Sequence, residues 1–145
     1  MFNFFKKKEP SQIEVKASVR EMLLGDVSMN EWPKGNVKGE PWSLFVEARN
    51  FILVQQKYQE AINIYRKITE MSGLESRHYL QAWHYLRKLG GVTPPPEVAK
   101  KVYGVLIDVC LANGTEFVAG YADHTARYFN YTGSGIVWEA PDTSL

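Results

Sequence analysis

The stretch that decides the fold is residues 104–140, which read GVLIDVCLANGTEFVAGYADHTARYFNYTGSGIVWEA. Over residues 105–111 every second side chain is a large aliphatic one, and this period of two places successive side chains on opposite faces of a sheet. The pair Asn113-Gly114 favours a tight hairpin, and further turn-forming residues lie at 122–124 and 132–135. The sequence therefore predicts four short strands in an antiparallel meander.

Upstream of the meander, the spacing of the apolar residues changes to that of amphipathic helices. Apolar positions three and four residues apart predict a helical hairpin over residues 42–56 and 58–72, followed by a helix over about 74–89. A fourth main helix is expected after the prolines at 94–96, and a short one over 18–25. The prediction is an α+β fold in which about four main helices pack on one face of a four-stranded antiparallel sheet.

Length and composition indicate one domain over residues 1–145, because 45% hydrophobic and 23% charged residues are ordinary values for a soluble globular domain. Within it we expect a flexible N-terminal segment (1–17), a helical part (18–103), the meander (104–140) and a tail (141–145). No apolar stretch of the sequence is long enough to predict a membrane span.

Charge is distributed unevenly, although the net charge is only +1. Residues 41–103 carry nine Lys/Arg against five Asp/Glu, a net of +4, whereas residues 104–145 carry one, Arg127, against five, a net of −4. Because affinity for phosphate depends on Lys and Arg, nucleic acid is not an expected partner of the meander. The single cysteine, Cys110, predicts a buried, reduced thiol in a cytoplasmic protein.

Three segments carry a resemblance to a known family: LQAWHYLRKLG at 80–90, PPPEVAKKVYGVLIDV at 94–109 and YADHTARYFNYTGSGIVWEAPD at 121–142. In them the chain resembles an uncharacterised family of bacterial cytosolic proteins with a recurring Tyr-Ala-Asp, Ala-Arg-Tyr, Asn-Tyr-x-Gly and Val-Trp-Glu sequence. The resemblance implies a bacterial cytosolic protein and brings no reaction, cofactor or catalytic residue with it. Residues 42–72 also resemble one tetratricopeptide-type helical hairpin, which would imply peptide binding on an exposed concave face.

The candidate binding residues are the polar and aromatic side chains of the meander: Tyr121, Asp123, His124, Arg127, Tyr128, Asn130, Trp138 and Glu139. Arg127 near Tyr121, with Glu139 or Asp123 as partner, could bind an anion or a planar ring, or could form only a cross-strand ion pair. The adjacent Asp123 and His124 fit either acid–base chemistry or a turn that the aspartate stabilises. Asn130 and the loop at 132–135 could offer backbone amides to a phosphate.

No cofactor motif, catalytic constellation or metal-ligand spacing is present in the sequence, so no catalytic, cofactor-binding or metal residues are predicted. His78 and His84, for example, lie on different sides of one helix and are not expected to share a zinc ion.

The leading hypothesis is a non-enzymatic protein-interaction module, adaptor or immunity-like, of a bacterial cytosolic system. Its partner would be another protein, and the edges of the sheet would allow homo-oligomers. One alternative is a hydrolase or transferase that uses Asp123, His124, Arg127 and Glu139. A second is a small-ligand-binding domain with a pocket lined by Trp83, Tyr121, Tyr128 and Trp138.

Overall fold

The computed structural model describes residues 19–33 and 37–139. Within them five helices precede four strands, which confirms the predicted α+β layout. The helices are α1 (residues 19–24), α2 (Trp42–Leu53), α3 (Tyr58–Glu70), α4 (Ser76–Gly90) and α5 (Pro96–Ala99). The strands are β1 (Gly104–Leu111), β2 (Gly114–Tyr121), β3 (Ala126–Phe129) and β4 (Gly135–Trp138). The predicted flexible segment 1–17 and tail 141–145 lie outside the described residues.

Helices α2, α3 and α4 form the main hydrophobic core. The predicted hairpin is confirmed, with α3 packed against both α2 and α4. Aromatic rings fill the centre: Tyr65 lies 5.0 Å from Tyr85 and 5.9 Å from Phe45, centroid to centroid. Ala48 and Ala61 are fully buried, and small residues of this kind let neighbouring helices approach closely.

The four strands pair in the antiparallel order β1-β2-β3-β4, as the meander predicted. The first hairpin closes between Leu111 and Gly114, so its turn residues are Ala112 and Asn113. This turn lies one residue earlier than predicted, and Asn113 does not adopt the positive φ that a type I′ turn requires.

The face of the sheet toward the helices is covered by α1. Its buried residues, Phe117, Ala119 and Tyr121 of β2, pack with Val19 and Leu23 of α1 in a second core, separate from that of α2–α4. We call this side of the sheet the inner face. The residues with the opposite parity along each strand form the outer face.

The segment 19–27, which we call the joining segment, connects the two cores. The side chain of Gln81 in α4 accepts a hydrogen bond from the backbone N–H of Val27 at 3.2 Å and donates one to its carbonyl at 3.0 Å. The hydroxyl of Tyr121 in β2 donates to the carbonyl of Leu23 at 2.8 Å. Gly25, at φ +68°, lies so close to α4 that an added Cβ would stand 2.7 Å from Cβ of Leu80.

Two details of the sequence-based prediction are wrong. The fourth main helix is a single turn of four residues with no buried side chain, and Val102 beyond it is 71% exposed. Cys110, predicted to be buried, is exposed. It lies on the edge strand β1, most of whose residues are exposed on both faces because the described helices cover mainly the part of the inner face formed by β2.

The close approach of Gly25 to α4 makes a testable prediction about stability. Gly25→Ala should lower the free energy of unfolding by about 3 kcal/mol or more, because it adds a backbone clash to the strain of a positive φ. Gly73→Ala is the matched control, since its φ of +74° is similar and its Cβ would meet nothing within 4 Å. It should cost only about 1 kcal/mol. Urea unfolding measures both, and equal losses would contradict a tight contact at Gly25.

Candidate functional site

The outer face of the sheet is apolar across all four strands. The strand register aligns Ile107 of β1, Val118 of β2, Tyr128 of β3 and Ile136 of β4 in one row. The complete set of large apolar and aromatic side chains on this face is Val105, Ile107, Val109, Leu111, Val118, Tyr128, Ile136 and Trp138. An antiparallel sheet with one solvated face normally carries polar residues there, so this face departs from the usual pattern.

These outer-face side chains are open to solvent. All but Tyr128 are between 38% and 59% exposed, and together these residues expose roughly 600 Å², main chain included, which is near the size of the largest patch of a typical monomer. Among the described strand residues, Glu116 is the one charged side chain on this face. Partial desolvation and the interaction of its hydroxyl with Glu116 raise the pKa of Tyr128 above the ordinary value. The surface therefore combines a large apolar area with very little charge.

The last row of the outer face, beside the β2–β3 turn, has no large side chain on its two middle strands. Gly120 and Ala126 pair with each other between Val105 on β1 and Trp138 on β4. A Cβ added at Gly120 would meet no atom within 4 Å, so this part of the face is open space. Small central residues flanked by large apolar ones leave room for a partner to approach the backbone closely.

Polar side chains gather at a second place, where the N-terminus of α4 meets the turn between β2 and β3. Asp123 accepts a hydrogen bond from the backbone N–H of Ser76 at 2.6 Å, and its other carboxylate oxygen accepts from the N–H and the hydroxyl of Thr125. Burial would raise the pKa of Asp123, but the hydrogen bonds from Thr125 and Ser76 outweigh it and lower the pKa. The aspartate thus caps the helix and holds its own turn.

Two guanidinium groups share one carboxylate beside this cap. Glu75 lies 2.8 Å from a terminal nitrogen of Arg77 and 3.2 Å from one of Arg127. Burial would raise the pKa of Glu75, but the hydrogen bond and charge of Arg77, with the charges of His78 and Arg127, lower it overall. The sequence predicted Asp123 or Glu139 as the partner of Arg127, whereas the observed ion pair is with Glu75, more than fifty residues away along the chain.

His78 lies behind this cluster in an aromatic environment. It is only 4% exposed, and its ring stands 4.7 Å from the ring of Trp42 in an edge-to-face arrangement. Neither of its ring nitrogens has a hydrogen-bond partner among the described residues. Burial lowers its pKa to about 4, although the nearby charges of Glu75 and Asp123 oppose the shift. The imidazole is therefore neutral at pH 7.

The structure divides the predicted binding residues among different places. Tyr121 faces the inner core, where burial raises its pKa to about 12 and its hydroxyl donates to the joining segment. Tyr128 and Trp138 lie on the outer face, so they do not line one pocket with Tyr121. His124 is an exposed turn residue with φ +67°, and Glu139 is exposed beyond β4. Of the four residues predicted for a hydrolase, Asp123 and Arg127 bind Ser76 and Glu75 at the start of α4, and His124 and Glu139 are exposed.

Asn130 stabilises its own loop. Its side-chain oxygen accepts hydrogen bonds from the backbone N–H groups of Thr132 and Ser134, both at 3.0 Å, and its carbonyl accepts from Gly133. The amides proposed to hold a phosphate are thus already bound within the turn.

In residues 19–33 and 37–139, no group of three or more His, Cys, Asp or Glu side chains could hold a metal ion. Within the same residues, no helix has both the length and the apolar character needed to cross a membrane. Comparison of the chain with protein-family models, with curated proteins and with solved structures finds no match.

The double role of Asp123 can be tested against Asn130, which makes similar bonds only within its own loop. Asp123→Ala should lower the free energy of unfolding by about 2 kcal/mol, because it removes a helix cap as well as a turn. Asn130→Ala should cost less than about 1 kcal/mol. Urea titrations of both variants supply the measurement, and an Asn130→Ala loss as large as that of Asp123→Ala would refute the capping role.

The buried His78 predicts a dependence of stability on pH. Its pKa in the folded protein, about 4, lies below its ordinary value of 6.5, so the unfolded chain binds the proton more readily. The contribution is fully present above pH 6.5 and is lost as the pH falls toward 4, amounting to about 2 kcal/mol between pH 7 and 5.

Urea unfolding at these two pH values should therefore show a much smaller loss in His78→Phe, whose ring can keep the contact with Trp42. His124→Asn, which removes an exposed turn histidine, is the control and should keep the wild-type loss. A wild-type loss in His78→Phe would show that other groups cause the acid sensitivity.

Proposed function

We propose that this protein is a non-enzymatic protein-interaction module and that the outer face of the sheet is its binding surface. The exposed apolar side chains on the four strands of that face carry the proposal. At about 25 cal/mol per Å² of apolar surface, covering the apolar part of this face would provide on the order of 10 kcal/mol before the costs of association. The fold of the described residues does not require an exposed apolar face, whereas binding a partner does.

The alternative functions receive less support from the geometry. A hydrolase would need Asp123 and Arg127 to be available, but Asp123 caps α4 and Arg127 pairs with Glu75. A ligand pocket shared by Tyr121 and Trp138 would need both on one side of the sheet, and they lie on opposite faces. The setting that we propose is the cytoplasm of a bacterium, as the family resemblance implies. The role that we propose there is that of an adaptor or immunity-like protein.

Site-specific photo-crosslinking in the organism that encodes the chain tests this function. A benzophenone amino acid at position 107, on the outer face, should give a discrete protein adduct on irradiation. The same group at position 54, where Val54 is 77% exposed at the end of α2, should give none. Adding Val118→Lys to the position-107 protein should abolish the adduct, because it places a charge in the centre of the face. An adduct unaffected by Val118→Lys, or no adduct at all, would contradict the proposal.

A further inference from the structure

We propose that the occupant of the outer face is a second copy of this chain, packed face to face about a two-fold axis. The inference rests on the proposed function, because it names the partner of the same surface. It is supported by the area of the face, by its charge and by the arrangement of its side chains.

The area of the face suits a stable homodimer. A standard protein–protein interface buries about 800 Å² on each partner, and the apolar and aromatic residues of the outer face already expose roughly 600 Å². Interfaces between identical subunits are also more apolar than those between transient partners. A face of this size with a single charged strand residue has the composition of a homodimer interface. A transient interface, which is exposed to solvent when the partner is absent, would carry more polar residues.

The charge of the face is compatible with self-association. A different partner selected by electrostatics would require a charged pattern to recognise, and the outer face offers only Glu116. Glu116 pairs with Val109, one row away from the central row of Ile107 and Val118. Two copies can therefore bury the central row with no charge inside that row, and each copy brings its own Glu116 to the neighbouring row.

The arrangement of the side chains defines a specific packing. We place the two-fold axis parallel to the strands and between β2 and β3. Each row of one copy then faces the same row of the other copy with the strand order reversed, so that β1 lies over β4 and β2 over β3. Trp138 then packs on Val105 of the second copy, and Ile136 packs on Ile107 of the second copy. Val118 faces Tyr128 of the second copy, and Gly120 faces Ala126, so the smallest side chains meet at one end of the axis and allow the sheets to approach there. The result is an aligned two-sheet sandwich.

Sedimentation and light scattering of the purified chain over a range from about 1 to 100 μM test the proposal. The wild-type protein should be a dimer. Ile107→Lys should weaken it roughly 100-fold or more, because two charges would be buried without partners. Val54→Lys is the matched control, since it adds the same charge at an exposed apolar residue outside the face and should leave the dimer intact.

The variant Gly120→Leu distinguishes a specific dimer from non-specific hydrophobic association. The added side chain has open space in the single copy, so the fold should be unaffected, as circular dichroism will show. It would occupy the axis of the dimer and should dissociate it, although it increases the apolar surface. Stronger association in Gly120→Leu would overturn the specific packing.

Chemical crosslinking between engineered cysteines tests the predicted contacts between the two copies. It is done in a Cys110→Ser background, because Cys110 is an exposed native thiol. Ile107 and Ile136 lie on opposite edges of one sheet, about 14 Å apart at three strand spacings. A short bismaleimide should therefore join an Ile107→Cys chain to an Ile136→Cys chain when the two are mixed, and should join neither variant to itself.

The outcomes distinguish face-to-face self-association from the proposed function. A wild-type monomer at 100 μM, or a dimer that persists in both Ile107→Lys and Gly120→Leu, overturns face-to-face self-association; the latter result would point to pairing through the sheet edges. If a monomer gives an adduct with a different protein from position 107, this inference fails and the proposed function stands. A monomer with no adduct overturns both.

Discussion

The position of the joining segment between α4 and the sheet is the constraint on which the rest of the structure depends. Gln81 holds the backbone of Val27 from the helical side, and Tyr121 holds the carbonyl of Leu23 from the sheet side. Both side chains are at least nine-tenths buried, so losing either bond would leave a buried polar group without a partner. Gly25 permits this arrangement because any side chain would separate the segment from α4.

The joining segment also explains why the two faces of the sheet differ. Val19 and Leu23 cover Phe117 and Ala119 on the inner face, and the Asp123 cap and the Glu75–Arg127 pair fix one end of the sheet to α4. These contacts all lie on the helical side of the sheet or at its β2–β3 turn. The outer face consequently remains uncovered by the described residues, although its strands are as apolar as those of a buried sheet.

Much of this architecture follows from local sequence patterns. The period of two over residues 105–111 and the spacing of Ala61, Tyr65 and Ile68 are local, and they correctly predicted the meander and the helical hairpin. The hairpin turn lies one residue before the predicted position because Leu111 pairs with Gly114. This pairing is set by the register of β1 and β2 along their whole length.

Long-range contacts could not be read in the same way. The pairing of Arg127 with Glu75 and of Gln81 with Val27 joins residues more than fifty positions apart, and no local spacing marks either one. Alternation correctly separated the two faces of the sheet, but it does not state which face the helices cover. For that reason the sequence alone predicts one pocket for Tyr121 and Trp138, although Tyr121 is a core residue and Trp138 lies on the open surface.

This division between the faces bears on where function resides. The charged residues of the meander that invite a chemical interpretation, Asp123 and Arg127, are the ones that attach the sheet to α4. Their polarity serves the fold, because a helix terminus and a largely buried guanidinium both require partners. The apolar residues of the outer face satisfy no such requirement within the described chain. A four-stranded sheet with one covered face is half of a sandwich, and a second apolar layer would complete the kind of packed core that sheets of this composition form in stable domains.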